Sequence, residues 1–263
     1  MTPRQHTLVV GGTKGTGRTF ASRVAAAGHH VSVLGRTTPA GAGMPLTRHW
    51  AVDVADRAAL DAALGEVWRE QGAPTSVVLF QRYRGEGDTW AGELATALTA
   101  TRQVIEWAAA HADPKAAASI VMIASTAAWL IATEQPVGYH VAKAALVQMA
   151  RYYAVRLGPA RIRVNVVSSG TIVKDESRSF YEAHPELVDL YKKITPLGRM
   201  CTASDIADVV MFLCGPEASF ITGQNLVVDG GLSLRWHESL ARDLSPLHEL
   251  PITASGGRTD RRL

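Results

Sequence analysis

Cysteine is scarce in this chain of 263 residues, which contains only Cys201 and Cys214. Two cysteines cannot build the disulfide framework of a small secreted domain or a cysteine-rich metal site. The nine histidines also lack the spacing of metal ligands. We therefore expect no metal centre, and a reducing, cytoplasmic environment.

Long hydrophobic runs are absent as well, because no stretch approaches the roughly 18 apolar residues of a membrane span. Residues Met1–His6 are polar and lead directly into a strand-like run, so we expect neither a secretory signal nor a membrane partner. The net charge is only +3 and the basic residues are dispersed, which argues against nucleic acid as a partner. The densest basic group, Arg258–Arg262, is interpreted as a solvated tail.

What the chain does contain is 47% hydrophobic residues, arranged as short apolar runs that alternate with amphipathic segments. Strands are predicted at Leu8–Val10, His30–Leu34, Ser76–Phe80, Ser119–Ala124, Ile162–Val167 and Asn225–Asp229, and residues 51–54 are predicted to close the third strand, before Ser76–Phe80. Helices are predicted at Arg18–Ala27, near Leu60–Trp68, near Leu94–Ala108, and at Gly138–Leu157 and Asp205–Leu213. This order predicts an α/β fold in which parallel strands are joined by crossover helices on both faces.

The predicted architecture is a single-domain, Rossmann-type, doubly wound parallel sheet of about seven strands, with helices on both faces. Its domain is expected to occupy residues 1–233. Residues 234–263 change in character, with Pro246, Pro251 and little periodicity, and are predicted to form a C-terminal extension. This extension could cover an active site, reach a neighbouring subunit, or remain a disordered tail.

A glycine-rich turn follows the first predicted strand and precedes the first helix. Glycines there let the backbone bend sharply and approach a pyrophosphate, while the helix N-terminus offers free N–H groups. The candidate cofactor-binding residues in this turn are Gly11, Thr13, Lys14, Gly15, Thr16 and Gly17. A tight turn without a ligand is the alternative reading of the same residues.

Two basic residues refine the expected cofactor. Arg36 follows the second strand, where an acidic residue would bind the ribose 2′-hydroxyl of NAD, and no Asp or Glu occurs at residues 33–38. A guanidinium at this place, with Lys14 in the glycine turn, suits a 2′-phosphate, which favours NADP (as NADPH). The alternative is two exposed cations without a ligand.

Tyr139 and Lys143 stand four residues apart on a predicted helix and therefore share one face. A nearby ammonium stabilises the phenolate form of a tyrosine. The hydroxyl of Ser125, at the end of the fifth strand, is placed to orient a carbonyl oxygen. These three residues are the candidate catalytic group.

Together these motifs resemble the short-chain dehydrogenase/reductase family, over residues 7 to about 233. The motifs that carry the resemblance, in chain order, are the glycine turn, Asp53-Val54, Ile123-Ala124-Ser125, Tyr139 with Lys143, Arg163-Val164-Asn165, Pro196–Met200, Ile221–Gln224 and Val227–Gly231. Within the family, the similarity is greatest to the branch that contains the ketoacyl carrier-protein reductases.

The resemblance implies a role for each matching residue. Tyr139 would donate a proton to the substrate oxygen, Lys143 would bind the nicotinamide ribose, and Ser125 would polarise the carbonyl. The adenine contact would fall to Asp53 and Val54, and further cofactor contacts to Gly170 and Ile172. It also implies a small carbonyl substrate and a homo-oligomer, a homotetramer or a dimer. Residues Asp175–Lys193 match the family's mobile substrate lid.

Several positions depart from the family's pattern. The fourth strand normally runs into Asn-Asn-Ala-Gly, but here it continues as Gln81-Arg82-Tyr83-Arg84. These cations could line a pocket for an anionic substrate or pair with nearby acids. Glu93 replaces an asparagine of the family's proton relay and could hold a water or pair with Arg82 or Arg84. Lys174 replaces a threonine that commonly meets the nicotinamide amide.

Three functions remain open from the sequence. The first is an NADPH-dependent reductase that converts a ketone or aldehyde to an alcohol, with Tyr139 as general acid. The second is a cofactor-binding regulatory or scaffold protein without turnover, because fold alone does not establish activity. The third is another reaction in the same pocket, such as the reverse dehydrogenation of an alcohol or a hydride-neutral isomerisation.

Overall fold

Strands and helices alternate along the chain in the computed structural model, which describes residues 5–37 and 47–245. The strands are β1 (His6–Val10), β2 (His30–Gly35), β3 (Thr47–Ala51), β4 (Ser76–Leu79), β5 (Ala118–Ser125), β6 (Ile162–Ser169), β7 (Ile172–Val173), β8 (Cys201–Thr202) and β9 (Asn225–Val228). The helices are α1 (Gly15–Ala26), α2 (Arg57–Gln71), α3 (Thr89–Glu93), α4 (Ala100–Ala110), α5 (Val137–Leu157), α6 (Asp175–Ala183), α7 (Pro185–Ile194), α8 (Ala203–Cys214) and α9 (His237–Leu244).

Seven of these strands form one parallel sheet in the order β3-β2-β1-β4-β5-β6-β9. The chain winds outward from β1 to β3 and then returns to place β4 on the other side of β1. Such a reversal opens a crevice at the carboxyl ends of β1 and β4, where ligands of open α/β sheets bind. The predicted doubly wound parallel sheet of about seven strands is confirmed. β7 and β8 form a separate two-stranded parallel sheet.

The two faces of the sheet bury separate apolar cores. Leu8 and Val10 belong to one core with helices α2, α4 and α5, whereas Val9 belongs to the other with α1 and α8. Neighbouring side chains of a strand point to opposite faces, so a strand covered on both sides needs apolar residues at every position. This double coverage explains the unbroken apolar runs of the sequence.

The predicted end of the third strand, at residues 51–54, is wrong because the strand ends earlier. β3 ends at Ala51, and the following residues form the turn that leads into α2. The Asp53 carboxylate accepts a hydrogen bond from the Ala55 N–H at 3.0 Å, and the Asp56 carboxylate caps α2 by accepting from Ala58 and Ala59. Local capping by aspartate therefore ends the strand before the apolar pattern does.

The long helix before β5 also differs from its predicted extent. It begins at Thr89 instead of near Leu94, because Asp88 caps it by accepting from the Trp90 N–H. Its middle, Leu94–Thr99, is π-helical. A π-helical segment shifts the register of the residues before and after it, and such segments occur frequently at functional sites.

The beginning of the predicted C-terminal extension contacts the end of α7. The Arg235 guanidinium donates to the carbonyl oxygens of Lys193 and Ile194 at 3.4 and 3.3 Å, and α9 follows without a buried residue. The rest of the extension, including Pro246, Pro251 and Arg258–Arg262, lies outside the described residues. None of the described helices is both long and apolar enough to cross a membrane.

Candidate active site

The glycine turn between β1 and α1 lies directly against the end of β4. Gly11 has a φ of +79°, and a Cβ there would approach the Gln81 backbone nitrogen to 2.7 Å. A Cβ on Gly17 would collide with the carbonyl oxygen of Gly11. Only glycine permits this close approach of backbone to backbone, which leaves the N-terminus of α1 open toward the crevice.

The donors of this turn fit a dinucleotide's phosphates. Thr16, in the first turn of α1, is buried, and its Oγ1 has no hydrogen-bond partner among the described residues. A buried hydroxyl without a partner costs free energy, and an oxygen of a bound phosphate at the helix N-terminus would satisfy it. Lys14, which precedes α1, is exposed beside the same turn.

Arg36 lies just beyond the end of β2, on the neighbouring side of the crevice. Its side chain is exposed, and the preceding Gly35 packs against the side chain of Thr13 in the glycine turn. Thr13 also receives a hydrogen bond from the Thr37 hydroxyl at 3.5 Å. This contact holds the glycine turn and the Arg36 turn together. Asp53, the predicted adenine contact, is exposed after β3, whereas the adjacent Val54 is buried.

The three candidate catalytic residues converge on the carboxyl end of β5. Ser125 is the last residue of that strand, and its hydroxyl accepts a hydrogen bond from the Ala127 N–H. Lys143, on α5, donates to the carbonyl oxygen of Ile123 at 2.8 Å, two residues before Ser125. The Lys143 ammonium lies 5.5 Å from the centroid of the Tyr139 ring, one helical turn away.

Burial governs the charge of Lys143, of which only 4% is exposed. Its pKa is lowered from 10.5 to about 8, chiefly by desolvation and in addition by the positive charges of Arg82 and Lys174. The negative charge of Glu93 acts in the opposite direction and favours the ammonium. The protonation of Lys143 near neutral pH therefore depends on Glu93, which replaces an asparagine of the family's pattern.

Glu93 is almost completely buried at the end of α3, with 1% of its surface exposed. Its carboxylate accepts a hydrogen bond from the Tyr83 N–H at 3.5 Å. Within the described residues it forms no ion pair with Arg82 or Arg84, so that alternative is not observed. Glu93 instead joins α3 to the turn that follows β4.

The turn Gln81–Arg84 forms an ordered network of its own. The Gln81 side-chain amide donates to the Thr101 hydroxyl at 2.8 Å, and Arg82 donates to the Gln135 side-chain oxygen at 3.2 Å. The Arg82 guanidinium also lies over the Tyr139 ring, with its Cζ 4.7 Å from the centroid. The bulky replacements therefore occupy defined positions next to the candidate general acid.

Glycines make room for the tyrosine of the same turn. A Cβ on either Gly85 or Gly92 would lie within 2.7 Å of Tyr83 ring atoms, and the Tyr83 hydroxyl accepts from the Gly87 N–H. This ring replaces the small alanine of the family's pattern. The sequence thus compensates for a larger side chain with glycines at contacting positions.

Lys174 reaches back toward the glycine turn from the start of α6. Its Cδ and the carboxylate of Glu176 would each lie 3.3 Å from a Cβ on Gly15. Gly170 packs against Asp229, just after β9, and a Cβ on Gly170 would lie 3.2 Å from the Asp229 Cβ. Ile172 lies in β7, where it pairs with Cys201. The segment after β6 therefore closes one side of the crevice.

Sequence reasoning missed several groups that shape the site. The carbonyl of Ile123 anchors Lys143, Thr101 and Gln135 hold the Gln81–Arg84 turn, and Glu176 faces the glycine turn. None of these carries a motif, and a backbone carbonyl has no residue-type signal at all. No group of ligating side chains that could hold a metal occurs in residues 5–37 and 47–245.

Several known proteins are similar to this chain over most of its length. A family model described as enoyl-(acyl carrier protein) reductase matches residues 10–233. The 3-oxoacyl-(acyl-carrier-protein) reductase MabA of Mycobacterium avium is 30% identical over 236 residues, which cover 86% of this chain and 89% of MabA. The ligand-free aldohexose dehydrogenase of Thermoplasma acidophilum has a TM-score of 0.78 at 26% identity, covering 89% of this chain and 95% of that one.

Other relatives match over a shorter region. An uncharacterized oxidoreductase of Schizosaccharomyces pombe is 45% identical over 94 residues, and these cover 36% of each chain. For it and two further short-chain dehydrogenases, the match spans only 36–43% of the relative's own length. The family model and the MabA match, in contrast, extend over most of the chain. The chain therefore belongs to the short-chain dehydrogenase/reductase family of NAD(P)-binding oxidoreductases, in its ketoacyl reductase-like branch.

Proposed function

We propose that this protein is an NADPH-dependent carbonyl reductase, which reduces a ketone or aldehyde to an alcohol. The observation that carries the proposal is the pair formed by Tyr139 and Lys143, whose ammonium is anchored on the Ile123 carbonyl and lies 5.5 Å from the phenol ring. The name of the mycobacterial relative, a 3-oxoacyl reductase, also denotes reduction of a ketone.

In the proposed reaction, the phenol of Tyr139 donates its proton to the carbonyl oxygen of the substrate. The Ser125 hydroxyl donates a hydrogen bond to the same oxygen and stabilises the negative charge that develops there. Lys143 holds the cofactor's ribose, and its ammonium stabilises the phenolate that remains after proton transfer. The nicotinamide cofactor, when bound, supplies the hydride that the carbonyl carbon accepts.

The cofactor preference is inferred from charge. Arg36 and Lys14 are exposed at the carboxyl side of the sheet, and no carboxylate follows β2 at residues 33–37 to bind a ribose 2′-hydroxyl. A guanidinium binds a phosphate with two parallel hydrogen bonds, so this edge of the crevice suits a 2′-phosphate. Gly11, Thr13, Gly15, Thr16 and Gly17 would hold the pyrophosphate in the same proposal.

Titration of the purified protein with NADPH and with NADH, followed by cofactor fluorescence, tests this assignment. We expect clear preference for NADPH, and an about tenfold or greater loss of that preference in Arg36→Ala, because a charge-assisted contact to the 2′-phosphate disappears. Arg57→Ala, which removes an exposed arginine of α2, serves as the control. Equal or tighter binding of NADH would contradict the assignment.

A cofactor-binding protein without turnover is the second candidate. It is favoured by one observation: the buried Glu93 stands in place of the asparagine of the family's proton relay, and its carboxylate accepts a hydrogen bond from the Tyr83 N–H. Binding of neither NADPH nor NADH would contradict both candidates. Cofactor binding without hydride transfer to any carbonyl compound would support this second one.

We infer the cellular location of the protein from its thiols and its oligomeric state from its family. Both Cys201 and Cys214 are free, and burial raises the pKa of each thiol, to about 11 and about 12. Unreactive free thiols are compatible with a reducing compartment, from which we infer a cytoplasmic location. We also infer a homo-oligomer, a tetramer or a dimer, by analogy with the family.

A further inference from the structure

Three cations interact electrostatically in the crevice and form what we call the cation cluster, namely Arg82, Arg84 and Lys174. Burial lowers the pKa of both Arg84 and Lys174, and the charge of Arg82 lowers both further. Glu176 is the carboxylate that acts against this effect on the two residues. The cluster therefore concentrates positive charge in a partly desolvated part of the crevice.

The cations of the cluster are not neutralised by ion pairs. Of the ion pairs within 4 Å among the described residues, none includes Arg82, Arg84 or Lys174. Arg82 donates to the neutral Gln135 amide, and its Nε is buried without a hydrogen-bond partner. Partly buried charges without counter-charges destabilise a fold, and a bound anion would offset part of that cost.

The two ends of the cluster face different parts of the crevice. The Lys174 side chain lies against Gly15 in the glycine turn, where the cofactor's phosphates are expected. The Arg82 guanidinium lies over the ring of Tyr139, the proposed general acid, with Cζ 4.7 Å from the centroid. An anion held by Arg82 would thus belong to the substrate, and Lys174 would serve the cofactor.

We propose that Arg82, supported by Arg84, binds a carboxylate of the substrate, so that this protein reduces an oxo acid. The proposal rests on the reductase activity proposed above. The planar guanidinium matches a carboxylate in two parallel hydrogen bonds, and Gln135 fixes its orientation from the opposite loop. Because Arg82 adjoins Tyr139, the carboxylate and the carbonyl of the substrate are separated by only a few bonds, as in 2-oxo and 3-oxo acids.

The reaction balances as a two-electron reduction. The carbonyl carbon gains a hydride and its oxygen gains the Tyr139 proton, so the C=O π bond is lost as a C–H and an O–H bond form. The hydride, with its two electrons, would come from a C–H bond that breaks in a bound reduced nicotinamide cofactor, and solvent would restore the proton of Tyr139. The carboxylate takes no part in bond changes, and its contact with Arg82 orients the carbonyl toward the phenol.

The test compares pyruvate and acetoacetate with their methyl esters, which keep the carbonyl and lose the negative charge. Binding is measured by calorimetry to the protein alone and to the protein saturated with oxidised cofactor, where no turnover occurs. We expect the acids to bind about tenfold or more tightly than the esters, as a charge-assisted contact would give. We expect Arg82→Met to abolish that difference with little change in ester binding or NADPH affinity.

Two further variants serve as controls for the effect of Arg82→Met. Arg82→Lys retains the positive charge but lacks the planar guanidinium that forms two parallel hydrogen bonds. We expect this variant to keep part of the acid preference, even if Arg82→Met folds poorly. Arg48→Met removes another arginine that lies over an aromatic ring, with its Cζ 5.5 Å from the centroid of Trp50 on β3, and should leave the acid preference unchanged.

The remaining outcomes distinguish a failure of the carboxylate site from a failure of the proposed reductase activity. Equal binding of acids and esters by the unaltered protein would overturn the carboxylate site, as would an Arg82→Met variant that loses NADPH affinity while keeping its acid preference. Acid binding that depends on Arg82 without any hydride transfer would support the site and contradict the reductase activity.

Discussion

At the scale of residues, the candidate site combines a local pair of side chains on α5 with contacts between distant parts of the chain. Tyr139 and Lys143 are recognisable because a four-residue spacing on a helix places them on one face, and the structure brings them together. The partners of the Gln81–Arg84 turn were not predictable, because Thr101 and Gln135 are 20 and 53 residues away from the side chains they bind. Contacts over such separations depend on the tertiary fold.

Glu93 offers a prediction on the pH dependence of activity. Its charge favours the ammonium of Lys143, whose pKa is about 8, so Glu93→Gln should lower that pKa. Since Lys143 is a cation only below its pKa, activity should begin to fall at a lower pH in the variant. The measurement is kcat/KM for carbonyl reduction from pH 6 to pH 10.

A carboxylate further along the same long helix provides the control for Glu93. Glu106 accepts a hydrogen bond from the Tyr153 hydroxyl, and Glu106→Gln should leave the alkaline limb of the profile unchanged. An unchanged alkaline limb in Glu93→Gln would show that its charge does not govern the protonation of Lys143.

His6 makes a prediction on stability. Burial lowers its pKa from 6.5 to about 4, and its ring bonds to the Ser32 hydroxyl and the Gly72 carbonyl. Below pH 6.5 the unfolded chain binds the proton more readily than the folded one. The free energy of unfolding should therefore fall by about 2 kcal/mol between pH 7 and pH 5 through this residue.

Urea denaturation at both pH values measures the effect. We expect His6→Gln to lose that part of the pH dependence and His237→Gln, at an exposed position of α9, to retain it. The same pH dependence in His6→Gln and the unaltered protein would contradict the assignment.

At the scale of elements, the strands were the most predictable feature. Strands covered on both faces carry continuous apolar runs, so their order and the parallel sheet follow from the pattern. Element ends were less predictable, because Asp56 and Asp88 cap α2 and α3 through local hydrogen bonds that override hydrophobic periodicity. The residues of the π-helical segment Leu94–Thr99 follow no pattern that distinguishes it from an α-helix.

The crossing of α3 and α5 gives a prediction on geometry. A Cβ on Gly138 would lie 3.0 Å from the Cα of Trp90 and 3.2 Å from the Thr89 carbonyl oxygen. Gly138→Ala should therefore separate the two helices and lower the free energy of unfolding by about 1–3 kcal/mol. It should also lower kcat, because Tyr139 is the next residue of α5.

Gly158, at the other end of α5, is the matched control, since nothing lies within 4 Å of the corresponding Cβ position. Gly158→Ala should change stability by less than about 1 kcal/mol in denaturant titrations. Comparable stability and activity of the two variants would mean that the tight crossing is not needed to position Tyr139.

For the whole molecule, the exposed apolar surface bears on self-association. Tyr152 and Val155 on α5 are 61% and 82% exposed, and β9 is an edge strand whose Val227 is 45% exposed. Exposed apolar groups and unpaired strand edges are typical of interaction surfaces. We therefore expect a dimer or tetramer in light scattering, and smaller species for Val155→Glu.

Ala62→Glu, at an exposed position of α2, should leave the assembly unchanged and so serves as the control. A monomer for the unaltered protein at micromolar concentrations would contradict the expected assembly. A dimer or tetramer that persists in Val155→Glu would exclude this face of α5 from the interface.

The central claim is that Tyr139 protonates a carbonyl that NADPH reduces, and deuteride transfer tests it most directly. The protein is incubated with NADPH deuterated on the nicotinamide and with oxo acids and neutral ketones, and the alcohols are analysed by mass spectrometry. We predict deuterium at the carbinol carbon, with a rate about 10²–10⁴-fold lower in Tyr139→Phe at nearly unchanged NADPH affinity. Full activity of Tyr139→Phe, or bound cofactor that never transfers deuterium, would contradict the account.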